Sequence, residues 1–166
     1  PMRCYLVRQG IALDLGEEGI QRDCERPLSK EGRQKTAEVA AGLKTIGVRP
    51  EHILTSPLVR AQQTAQILAA ILAPAHPPAE CDALQPRRPP DQLLPLLRNL
   101  PAEAIMTVGH LPDIAEFAAF LLTGHTHLDL EFKKAAVACL VFDGPVAPGR
   151  ARLEWLMQPA QLRSLS

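Results

Sequence analysis

Apolar residues in this chain fall into short runs divided by polar, proline-rich or glycine-rich stretches, and the two kinds of run have different periods. Cys4–Val7 is a continuous apolar run and predicts a buried strand. A polar stretch rich in Gly, Asp and Glu follows as far as Ser29 and predicts a long loop, of a length that in compact domains is often functional. Ser29 suits the N-cap of a helix from Lys30 to about Ile46, which Gly47 would stop. On it Ala37, Ala40, Ala41 and Lys44 share a face, the lysine extending its stem along apolar surface. His52–Thr55 predicts a second strand. Ser56 as N-cap and Pro57 at the first helical position predict a helix to about Leu72, with Ala65, Leu68, Ala69 and Leu72 facing a core. Many of the 16 prolines lie between Pro74 and Pro101, an irregular connection with an extended piece near Glu80–Cys81 and a third helix over Asp91–Leu100. Ala104–Val108 predicts a strand and Leu111–Leu122 a helix. Val137–Phe142 and Arg152–Met157 predict two final strands joined through Gly144-Pro145 and Pro148-Gly149, and the tail from Pro159 has no strong pattern.

Strands alternating with helices imply an α/β three-layer sandwich, a mostly parallel central sheet flanked by helices. The last two strands, joined by a short turn-rich link, are expected to pair antiparallel at one edge. A chain of 166 residues fits a single domain over residues 1–166, without internal repeats. Composition narrows the function classes. Hydrophobic residues make up 46%, yet no apolar stretch is long enough to span a membrane, and the opening run reaches Arg8 too soon for a secretory signal, so the expected location is cytoplasmic. Lys+Arg and Asp+Glu both number 18, which argues against a general nucleic-acid or membrane-surface binder while leaving room for a local positive pocket. The four cysteines form no C-x-x-C pair, so neither a zinc site nor a redox motif is signalled, and Cys4 and Cys139 are expected in the core.

In open α/β sheets, ligands bind beyond the carboxyl ends of the strands. Three predicted strands run into polar groups there: Arg8-Gln9-Gly10, Ser56-Pro57-Leu58-Val59-Arg60, and Gly109-His110-Leu111-Pro112. If those strands are parallel neighbours, Arg8, Gln9, Arg60 and His110 meet, and two guanidiniums with an imidazole make a phosphate or carboxylate pocket. Gly10 would permit close backbone approach and nearby helix N-termini would add positive potential. His125 and His127, two residues apart, are weak evidence for a metal without further ligands, and a solvated loop is the better reading.

The same residues resemble the histidine phosphatase superfamily. Leu6-Val7-Arg8-Gln9-Gly10 is similar to its Arg-His-Gly signature, and Arg26-Pro27-Leu28-Ser29-Lys30-Glu31-Gly32 to its Arg-Pro-Leu-Ser/Thr-x-x-Gly segment. Ser56-Pro57-Leu58-Val59-Arg60-Ala61-Gln62-Gln63-Thr64-Ala65 resembles Ser-Pro-x-x-Arg-Ala-x-Gln-Thr-Ala, and Val108-Gly109-His110-Leu111-Pro112 resembles Val-Gly-His-x-Pro. The order is right, the span is residues 6 to 112, and the shortness of the chain resembles the small bacterial SixA-like phosphohistidine phosphatases, as does Lys133–Leu140 before a late strand. The resemblance implies a phosphoglycerate-mutase-like fold and a covalent enzyme phosphohistidine that water hydrolyses. It places Gln9 at the nucleophile's position. A carboxamide nitrogen, its lone pair delocalised into the carbonyl, is no useful nucleophile, so the chain as written is expected to lack turnover or to be severely impaired. An engineered substitution, a natural pseudoenzyme and a one-base codon variant all account for Gln9.

By the same resemblance Arg8 and Arg60 would bind the phosphoryl oxygens and stabilise transition-state charge, with Arg26 joining from the loop, and His110 would be the second pocket histidine. The alternative for Arg26 is a loop-anchoring ion pair with Glu25 or Asp23. Asp23 is a candidate for positioning water or handling a proton, against an exposed loop acid. The expected partner is a phosphohistidine-containing protein, a small phosphorylated substrate is the rival, and a non-catalytic phosphohistidine-binding module is the reading that Gln9 favours. No metal, nucleotide or organic cofactor is implied, and neither nucleic acid nor membrane is an expected partner.

Overall fold

The computed structural model describes residues Pro1–Ser166. Six strands form one sheet: β1 (Met2–Arg8), β2 (His52–Thr55), β3 (Ala79–Glu80), β4 (Ala104–Gly109), β5 (Val137–Phe142) and β6 (Arg152–Met157), in the order β3-β2-β4-β1-β5-β6. The pairs β2·β3, β2·β4 and β1·β4 are parallel, while β1·β5 and β5·β6 are antiparallel. The antiparallel strand is therefore β5, one in from the edge, and β6 covers it. No helix is long and apolar enough to cross a membrane.

Period-two alternation divides the strands between two cores. Tyr5, Val7, Ile53, Met106, Val108, Val137 and Cys139 face α1 (Lys30–Thr45), α2 (Val59–Leu72) and the C-terminal α5 (Pro159–Arg163). Cys4, Leu6, Leu54, Ile105 and Leu140 face α3 (Leu94–Asn99) and α4 (Asp113–Thr123). Cys4 and Cys139 lie in these cores, and burial pushes both thiols up to about 12.

Local chemistry accounts for where helices start. The Ser29 side chain accepts from the Gly32 amide at 2.9 Å, the N-cap of α1. The face α1 buries is set by Thr36, Val39, Ala40 and Leu43; of the four residues expected there only Ala40 is fully buried, and Lys44 is exposed. The bulkier Val39 and Leu43 take the core and rotate the alanines Ala37 and Ala41 to its margin. On α2, Ala65, Leu68 and Leu72 are buried and Ala69 partly so. That helix begins at Val59, not at Pro57, and Leu58 rather than Ser56 is its cap residue. Ser56 instead closes a turn two residues on, accepting from the Leu58 amide at 3.2 Å, and turns its hydroxyl inward. α4 begins at Asp113 and not at Leu111, because a residue before proline disfavours helical backbone. The expected third helix is a 3-10 turn over Pro90–Leu93 followed by α3, with Pro95 in its first turn. The tail forms α5, too short to carry a helical period, and seats Leu162 against α1.

Candidate functional site

The sheet order places β1 between β4 and β5, with β4 between β1 and β2. Arg8 pairs with Gly109 and Thr55 with Val108, so all three parallel strands end at one level. The residues just beyond those ends, Arg8-Gln9-Gly10, Ser56 and His110, meet there as the alternation of strands required. Beside them lies a cavity of about 210 Å³ lined by Arg8, Gln9, Arg60 and His110, with Arg26 and Lys134 entering from loops. Gly10 lies where a Cβ would stand 2.5 Å from the Thr36 hydroxyl, and its amide donates to Thr64 Oγ1 at 3.1 Å. Any side chain at that point would have to displace the Thr36 hydroxyl.

Each guanidinium is fixed by other groups. Arg8 donates from Nη1 to the Phe132 carbonyl at 2.8 Å, and its buried Nε has no partner in the protein. Burial lowers its pKa from the usual arginine value, though the group stays charged. Arg60, 7% exposed in the first turn of α2, donates to the Asp23 carbonyl at 2.9 Å and to Asp23 Oδ2 at 3.2 Å. Arg26 donates to the Leu13 carbonyl at 2.7 Å and to Asp23 Oδ1 at 3.0 Å, with Asp14 Oδ1 further off at 3.6 Å. Asp23, on the 3-10 turn Asp23–Glu25, thus bridges two arginines while its side chain remains largely exposed. Burial raises its pKa, but the bonds and charges of Arg26 and Arg60 outweigh this and hold it below the ordinary aspartate value.

Beneath the arginines is a connected polar chain. The Leu58 amide donates to Ser56 Oγ, Ser56 Oγ lies 2.7 Å from His110 Nε2, and His110 Nδ1 lies 3.0 Å from Gln9 Oε1. Satisfying every member sets the directions: the serine hydroxyl donates to Nε2, and Nδ1–H donates to the carboxamide oxygen. His110 is therefore held as the neutral Nδ1–H tautomer. Burial first, then the charge of Arg60 and of Arg8, lowers its pKa to about 4 against a smaller opposing pull from Asp23. The cavity so assembled offers fixed cations at its wall and a neutral, hydrogen-bonded floor, an arrangement chemically suited to a compact oxyanion met by forked donors.

Two participants are not singled out by sequence reasoning. Ser56 reads as a helix cap, and only its 2.7 Å contact with His110 reveals its inward role. Lys134 sits in a segment recognisable by resemblance but reaches the cavity only because the turn before β5 folds over Arg8. His125 and His127 are exposed on the turn after α4, apart from the cavity. A larger cavity, about 410 Å³, lies at the other end of the strands around Arg3, Tyr5 and Trp155. Its Arg3 is paired with Glu154 at 3.2 Å, and no cluster of cations like that around Arg8 and Arg60 converges in it.

The model of the histidine phosphatase superfamily (branch 1) matches residues 4–86. An uncharacterized protein of Picosynechococcus sp. is 39% identical over 139 residues, which cover 82% of each chain. The phosphohistidine phosphatase SixA of Escherichia coli (strain K12) is 27% identical over 169 residues, covering 98% of this chain and 97% of that one. The solved structure of the protein histidine phosphatase SixA complexed with tungstate superposes with a TM-score of 0.83 at 27% identity, over 97% of this chain and 99% of that one. With its motifs in order, its sheet arranged like that of SixA and its relatives found along nearly the whole chain, this protein belongs to the histidine phosphatase superfamily, branch 1.

Proposed function

We propose that this chain receives the phosphoryl group of a phosphohistidine carried by a phosphorelay-type protein and that, with Gln9 at the nucleophile's position, it holds that group without turning it over. The observation that carries this reading is the Gln9 carboxamide, 7% exposed and bonded through Oε1 to His110, at the floor of a cavity walled by Arg8, Arg26 and Arg60. Those guanidiniums meet the phosphoryl oxygens; the orphaned Arg8 Nε is a donor still in need of an acceptor. Asp23 holds Arg26 and Arg60 in register and is the exposed carboxylate at hand to orient a water.

With histidine at position 9, an imidazole nitrogen would attack phosphorus as the substrate's P–N bond breaks. The departing imidazole keeps the bonding pair and takes up a proton, and water then releases phosphate from the enzyme. The lability of a P–N bond lessens the need for a strong general acid, which fits a site whose one carboxylate is tied to two arginines. Free cysteines throughout suit a reducing cytoplasm.

The test compares the chain with Gln9→His on a phosphohistidine-bearing protein, following phosphate release and a covalent phosphoenzyme, with small phosphomonoesters as a second substrate panel. Histidine is expected to raise the rate by at least about a thousandfold, since a missing nucleophile is not replaced by binding groups, and tungstate should occupy both forms. Equal rates would refute the role given to Gln9. Turnover of the small esters alone would move the substrate to a phosphometabolite. Binding without turnover in both forms would make the domain a phosphohistidine-binding module.

A further inference from the structure

Four cations line the cavity, and three are already held by other groups. Arg60 and Arg26 share Asp23, and Arg8 is tied to the Phe132 carbonyl. Lys134 differs: its side chain is exposed and makes no hydrogen bond or ion pair with any residue of the protein, although it borders the same cavity.

The backbone under Lys134 is fixed as firmly as the lysine tip is free. Ala135, buried at 3% exposure, stands at φ 69°, left-handed backbone that an alanine rarely adopts. Its amide is shared between the Arg8 and Gln9 carbonyls at 3.1 and 3.2 Å, and the Ala136 amide closes the turn on Lys133 O at 2.8 Å. Phe132 O accepts from Arg8, and the Lys133 amide donates to Gln158 Oε1 at 3.0 Å. Strained backbone persists where surrounding bonds over-determine it, and such positions gather at binding sites. The turn is bolted to the segment bearing Arg8 and Gln9, which sets the lysine at the rim. Next to it the apolar side chain of Leu111, 38% exposed, also borders the opening.

Resting on the phosphohistidine reading above, we propose that Lys134 is a specificity-determining residue that pairs with a carboxylate next to the phosphorylated histidine, so that the favoured partner presents its phosphohistidine beside an Asp or Glu. The arginines are positioned for the compact phosphoryl group inside the cavity. The lysine is a long, unpaired point charge at the edge, suited to a flexible group just outside it.

The experiment measures binding by this chain of two peptides carrying a non-hydrolysable phosphonate analogue of phosphohistidine, one with Asp and the other with Asn as the neighbouring residue, alongside tungstate. The Asp peptide is expected to bind about two- to fivefold tighter at low salt, the size of a solvent-exposed pair, and the preference should shrink as salt is raised. Lys134→Ala should bring the ratio of the two dissociation constants to about one, Lys134→Glu should invert it, and Lys134→Arg should keep it. A merely structural role would weaken both peptides alike and leave the ratio intact, which would overturn the proposal, as would equal binding of both peptides by the unaltered chain. Tungstate bound but neither peptide bound would remove the phosphohistidine reading, and this proposal with it. Both peptides bound with no preference would remove this proposal alone.

Discussion

Protonation of His110 should destabilise this protein well above the pH at which carboxylates titrate. The imidazole is 4% exposed, and its ordinary pKa of 6.5 is lowered to about 4 by burial, by Arg60 and by Arg8. Between those values the unfolded chain binds a proton that the folded one refuses, so stability is complete above about pH 7 and declines as pH falls through 6.5 toward 4. Linkage makes the loss about 2 kcal/mol at pH 5 and about 3 kcal/mol once both states are protonated. The structural reason is specific: a second proton on the ring would need to sit on Nε2, which already accepts from Ser56 at 2.7 Å, and would add a cation beside two arginines. The assay is urea unfolding at pH 7 and pH 5 for the chain and for His110→Gln. The variant keeps the other titrating groups, so subtracting its pH dependence isolates the imidazole. For a slope of about 2 kcal/mol per molar urea, the midpoint difference between the two proteins should move by about 1 M over that interval. Parallel pH dependences would refute a depressed His110 pKa and, with it, the neutral tautomer assigned to the floor of the cavity.

Other outcomes follow from single contacts. Arg60→Lys should weaken inorganic phosphate or tungstate binding about tenfold or more by calorimetry, because an ammonium cannot keep both bonds to Asp23 and still present a fork to the anion; unchanged affinity would remove Arg60 from the anion site. Gly42→Ala would set a Cβ 1.9 Å from the Leu162 carbonyl, so α5 must move from α1. A loss of about 1–3 kcal/mol in thermal stability is expected, with faster amide exchange in residues 159–163 and tungstate affinity unaltered. Protection of those amides equal to the unsubstituted chain's would show that α5 accommodates the methyl without moving.

Much of the fold is local in origin and therefore legible along the chain. Five of the six strands lie where the sequence pattern places them, β1 extending two residues further towards the N-terminus, and Ser29 caps α1 as its side chain dictates. The cavity-lining residues Arg8, Gln9, Arg60 and His110 also announce themselves, because each follows a strand whose end must face the same side of a parallel sheet, and Arg26 enters from a loop too polar to be core. What local pattern does not encode is competition for a partner. Ser56 has a cap's chemistry, yet His110, 54 positions away, takes its hydroxyl inward. The Arg26–Asp23 pair is among the alternatives the sequence offers, but that Arg60, 37 positions away, shares the same carboxylate is not. Lys134 is one of two adjacent surface lysines until a left-handed alanine, tied to the Arg8 and Gln9 carbonyls, turns it over the cavity. The sequence by itself determined most of the strand and helix repertoire, the family and the glutamine that follows Arg8, because these depend on residue identity and spacing. Only the tertiary structure decided the tautomer of His110, the charge left unpaired at the rim and the face α1 buries, because each depends on which distant group reaches a given atom first.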